Sequence, residues 1–124
     1  MSRLLNVVLL VHLVVSVLLG ALLLIVPGRL LGAVGWAPID PLISRILGAA
    51  LLAMAWGDWR VWRRATVAES RIWYEVQAAF AALAAIGVLR HVAFGWWPAM
   101  VWVLFAGLAA FALIWIWALI EQRR

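Results

Sequence analysis

The chain has no cysteine and no lysine, and only 12% of its 124 residues are charged. Without cysteine there is no disulfide, no thiolate metal site and no thiol nucleophile. No GxSxG, phosphate-binding glycine loop, HExxH or Cys–His arrangement occurs, so the machinery of soluble-type catalysis is missing. No internal repeat organises the chain. What is abundant is apolar: 69% of the residues are hydrophobic, whereas a soluble domain holds about 45–50%. A water-soluble fold of this length has no means of hiding so much apolar surface, and the length allows one domain, 1–124.

The basic charge is carried wholly by ten arginines, giving +5 overall. In a soluble protein that balance would suggest nucleic acid. Here the arginines flank apolar runs, so lipid headgroups and topology explain them, and no nucleic-acid partner is expected.

The segment Asp40 to Arg64, DPLISRILGAALLAMAWGDWRVWRR, orients the rest. Asp40-Pro41 is an N-cap residue followed by proline at the first helical position. The middle is apolar and small, and the end carries tryptophan and Arg60, Arg63 and Arg64. This is the pattern of a membrane span that stops on the cytoplasmic side. Four spans are expected, at about 4–26, 41–60, 72–91 and 99–120, each near the roughly 20 residues that a bilayer requires. The first could be read as a signal peptide, but its apolar run is too long and Pro27-Gly28-Arg29 is no cleavage site. Pro27 to Ile39 is expected to be a broken interfacial connector. Ala65 to Arg71 and Phe94 to Pro98 are expected to be turns.

Arg3, Arg60, Arg63, Arg64, Arg71, Arg123 and Arg124 collect on one side. Arg29 and Arg90 fall on the other, with Arg45 about a turn inside. The positive-inside rule then puts both termini in the cytoplasm of a multi-pass cell-membrane protein. Tryptophans at 56, 59, 62, 73, 115 and 117 would mark the inner boundary, and those at 36, 96, 97 and 102 the outer one.

Small residues recur at spacing four: Ala49, Ala53 and Gly57, Ser44 and Gly48, then Ala78 and Ala82, Ala81 and Ala85. Such ridges let helices approach closely, either inside the bundle or at a homodimer face. Four polar residues fall at inner-leaflet depth: His12, Asp58, Glu75 and Gln77. Polar groups inside a bilayer face the bundle or water, so they form either a proton- or cation-handling cluster or separate structural pairs, Glu75 with Arg71 among them. Arg29, Arg45 and Arg90 are candidates for an anionic ligand or lipid headgroup, against simple snorkelling. His12, Ser16 and Gly20 share a ridge, but no second histidine lies at that depth. No cofactor and no metal site is expected.

The stretch SRILGAALLAMAWGDWRVWRR, the following RIWYEVQ and a tryptophan-bearing last helix resemble small uncharacterised prokaryotic integral membrane proteins. More distantly they resemble the DoxX-like superfamily, with an Arg-x-x-Gly step at Arg45–Gly48. That resemblance implies a fold and no particular activity. Small multidrug exporters fit less well, because their first helix carries a central carboxylate where this chain has His12.

The expectation is an all-α, four-helix transmembrane bundle with no enzymatic activity. Its role would be that of a structural or accessory subunit packing against lipid or a membrane partner. The alternative is a small dimeric transporter or channel that uses the inner polar cluster.

Overall fold

The computed structural model describes residues 3–36, 40–64, 66–93 and 99–123. Among these the chain is all-α, with five helices and no strand. They are α1 (Arg3–Ile25), α2 (Pro27–Ala33), α3 (Pro41–Arg64), α4 (Val67–Val92) and α5 (Met100–Glu121). Four segments are long and apolar enough to cross a membrane: Arg3–Ile25, Pro41–Arg63, Val67–Val92 and Met100–Glu121. These are the marks of a multi-pass membrane protein. The chain divides into two compact units, Met1–Ala65 and Thr66–Arg124.

In the first unit α1 packs along α3. The buried stripe of α1 is Leu5, Leu9, Ser16, Gly20 and Leu23, with steps of three, four and seven residues that keep one face toward the partner. The facing stripe on α3 is Gly48, Ala55, Asp58 and Val61. The helices touch backbone to backbone at Gly20 and Gly48. A Cβ built on Gly48 would stand 2.7 Å from Gly20 O and 2.7 Å from Leu24 N. A Cβ on Gly20 would stand 2.9 Å from Gly48 O. No side chain fits there, which is why small residues hold such crossings in lipid, where packing takes over from hydrophobic attraction.

Both ends of α3 follow local chemistry. Asp40 Oδ1 accepts from Leu42 N at 2.9 Å and Ile43 N at 3.1 Å, so the expected N-cap forms. The helix runs on to Arg64, four residues past the expected Arg60, because nothing in Val61-Trp62-Arg63 breaks it. The connector departs further from expectation. Pro27 does not interrupt a helix but begins one, sitting at the first position of α2 where its missing N–H goes unneeded. That helix ends at Gly35, whose φ of +74° lets Gly35 N reach Gly32 O at 3.1 Å and Trp36 N reach Leu31 O at 2.8 Å, a Schellman closure. Pro38 and Ile39, at the connector's end, lie outside the described residues.

In the second unit α5 packs on α4. The buried face of α4 is Ser70, Tyr74, Gln77, Ala78, Ala81 and Ala85. It meets Val101, Ala112, Trp115 and Ala118, the buried residues of α5. The segment read as a turn over Ala65 to Arg71 is helical from Val67 onward. The cause is a capping box: Glu69 N donates to Thr66 Oγ1 at 3.3 Å, and Thr66 N donates to Glu69 Oε2 at 2.7 Å. Thr-x-x-Glu is a sequence signature of a helix start, so this boundary was legible and was set too late. Trp115 also departs from its expected place in the boundary belt: it is fully buried and stacked on Tyr74, with ring centroids 5.3 Å apart. The turn at 94–98, with Trp96 and Trp97, lies outside the described residues, as do Ala65 and Arg124.

The α3 ridges separate by face. Gly48 is in the interface, whereas Ala49 and Ala53 are exposed. Gly48→Leu must therefore open the α1–α3 crossing, with overpacking costing about 1–3 kcal/mol. Ala53→Leu, expected from spacing alone to be equally disruptive, should leave resistance to thermal aggregation in detergent unchanged. Equal loss in both variants would place Ala53 in a packed interface.

Candidate functional site

The facing sides of α1 and α3 each carry one ionisable group amid mostly apolar neighbours. On α1 it is His12, four residues before Ser16 and eight before Gly20. On α3 it is Asp58, ten residues after Gly48. The helices run antiparallel, so moving from Gly20 back to His12 on α1 corresponds to moving from Gly48 forward to Asp58 on α3. The two side chains meet, with His12 Nδ1 2.5 Å from Asp58 Oδ2. The carboxylate side chain is 0% exposed and the imidazole 12%.

This contact answers an energetic demand. A carboxylate taken out of water without a partner is costly, and a charged partner with matching hydrogen bonds offsets much of that cost. The carboxylate accepts, so Nδ1 carries the hydrogen in this contact. The bond is the short, charge-assisted kind when the imidazole is protonated. Ser16, also buried, lies one turn along the same face of α1. Chemically the arrangement can brace two helices, and it can hold a proton between a nitrogen and an oxygen. Among the described residues no group of three His, Cys, Asp or Glu side chains could hold a metal ion.

The other two residues of the expected inner cluster belong to the second unit. Glu75 turns outward and accepts from Arg71 Nε at 3.2 Å, with the two side chains 54% and 44% exposed. Gln77 is buried on the same face of α4 as Tyr74 and Ala78. The structure thus joins His12 to Asp58 and gives Glu75 to Arg71. Tyr74 and Trp115, the largest buried side chains of the second unit, were not expected as a pair. The one signal for them was an aromatic at matching helical phase on two neighbouring spans.

Arg29 on α2, Arg45 on α3 and Arg90 near the end of α4 are all exposed. None makes an ion pair among the described residues. Asp40, the acid nearest to Arg45 in sequence, is engaged as the α3 cap. His91 is exposed in the last turn of α4.

Compared with known proteins, the chain matches no family model, no curated protein and no solved structure.

The Arg71–Glu75 pair is exposed and runs with the cation N-terminal to the acid, the weaker orientation for an i,i+4 pair. Glu75→Gln should change stability by less than about 0.5 kcal/mol, read as the thermal midpoint in detergent. A larger loss would mean that Glu75 has a structural partner besides Arg71.

Proposed function

We propose that this is a non-enzymatic membrane protein with both termini in the cytoplasm, working as a structural or accessory subunit that packs against lipid or a membrane partner. The observation that carries the reading is the buried His12–Asp58 contact. The two polar groups meet across two apolar helices, about two turns along α1 from the backbone contact at Gly20 and Gly48. Such a pair is a brace: it satisfies two costly groups and fixes the register of α1 against α3. The exterior is in keeping with this role. Long apolar side chains such as Leu18, Ile25, Leu83 and Leu113 are exposed, as acyl chains would require.

The same pair supports a second reading, the small dimeric transporter or channel. Carboxylate and imidazole are the side chains of proton relays within membranes. The two readings part on substitution. In a brace, His12→Leu or Asp58→Leu alone breaks the buried pair and costs about 3–5 kcal/mol, while the double substitution costs far less than the sum. Thermal midpoints of the three variants in detergent measure this. Proton flux into proteoliposomes that is present in the wild type and lost in folded Asp58→Asn would make transport the leading reading.

Topology is tested independently. A cysteine at Gly32, where an added Cβ meets open space, should react with impermeant reagents outside intact cells. A cysteine at Gln122 should react only after the cytoplasmic side is exposed. Labelling of Gln122→Cys from outside would reverse the orientation.

A further inference from the structure

The C-terminal end of α3 carries Arg60 and Arg63, which have no acidic partner among the described residues. Asp58 and Val61 of α3 are buried, while Trp59, Arg60, Trp62 and Arg63 on its other faces are exposed. Trp59 and Trp62 pack against each other, with ring centroids 5.5 Å apart and planes tilted by 41°. Both indoles remain 39% exposed. The Arg63 guanidinium lies 5.0 Å from the centre of the Trp59 ring, a cation–π contact that holds the cation over the aromatic surface. The acids of the first unit are Asp40 and Asp58. The first caps α3 at its opposite end and the second is bonded to His12. Arg60 and Arg63 make no ion pair among the described residues.

We propose that Trp59, Arg60, Trp62 and Arg63 form a binding site for the headgroup of an anionic phospholipid. The inference rests on α3 crossing the bilayer, as in the reading above. The chemistry is complementary at each point. Guanidinium donates in a planar fork that matches phosphate oxygens. Indole rings settle at headgroup level, with an apolar body toward the acyl chains and an N–H toward the polar layer. The cation–π contact keeps Arg63 at the ring and so reduces the side-chain freedom that lipid binding must remove. Engagement of Asp58 by His12 matters here as well: a free carboxylate beside Trp59 would compete with the phosphate for both arginines.

The test uses the purified full chain in a mild detergent, with phosphatidylglycerol or phosphatidylcholine added at matched mole fractions. Thermal unfolding reports the half-saturating lipid fraction. Phosphatidylglycerol should stabilise selectively, and Arg60→Gln/Arg63→Gln should raise its half-saturating fraction about 25-fold, or roughly fivefold per arginine. Arg60→Lys/Arg63→Lys, which keeps the charge and loses the fork, should fall between the two. Rising salt should weaken the effect on the wild type, an arm that needs no variant to fold. Equal stabilisation by both lipids, a salt-insensitive effect, or unchanged selectivity in the glutamine variant would overturn the site. Full competition by inorganic phosphate at matched ionic strength would overturn it too, because the site would then read free phosphate. Extraction of the protein from membranes by alkaline carbonate fails the membrane reading itself. Retention there without lipid selectivity fails only the headgroup site.

Discussion

Helices α1 and α3 meet with backbone against backbone at Gly20 and Gly48, and the arrangement of the first unit follows from that contact. In lipid two apolar helices gain little from hiding apolar surface from water, since acyl chains are equally apolar. Association depends instead on close packing and on polar contacts between helices. The glycines supply the first by removing the side chains that would hold the axes apart. His12 and Asp58 supply the second about two turns along α1, where the separation set at the glycines lets imidazole and carboxylate touch. Each depends on the other. Without the close crossing the pair would not reach, and without the pair the buried carboxylate would lose its contact with α1.

The second unit solves the same problem with different residues. Its α4 presents alanines at 78, 81 and 85, which allow close approach without the conformational cost of glycine in a helix. Where the first unit has the His12–Asp58 hydrogen bond, the second has Tyr74 stacked on Trp115. Ring stacking contributes about 0.5–1.5 kcal/mol beyond the area buried, and it leaves no charge to be compensated. The capping box at Thr66 and Glu69 holds the start of α4 in place. Glu69 is thereby used locally, like Asp40 at the start of α3, so acids at both helix starts serve the backbone.

Charge outside these contacts is nearly all basic, and it gathers at helix ends. Asp40 and Glu69 are drawn into caps, Asp58 into the helix pair and Glu75 onto Arg71. Most arginines are left facing outward. With four of its five acids engaged in these contacts, the protein presents a surface suited to an anionic layer.

The sequence by itself determined the helical class, the four long apolar segments and most of their ends, because these follow from local chemistry. A run of apolar residues has a length. Asp-Pro marks a start, and Gly and Pro mark an end. Thr66-Val67-Ala68-Glu69 carried its start signal too, although polarity in that segment concealed it. The Arg71–Glu75 pair was also legible, since one helix turn fixes it. What sequence could not decide was which face of each helix meets which neighbour. Ala49 and Gly48 are adjacent small residues on α3, yet only Gly48 touches α1, because the choice depends on the crossing angle and on the partner's own stripe. Likewise His12 and Asp58, 46 positions apart, are joined only by the tertiary packing. Spacing within a helix carries no information about phase between helices, and it was that phase which turned two isolated polar residues into a pair.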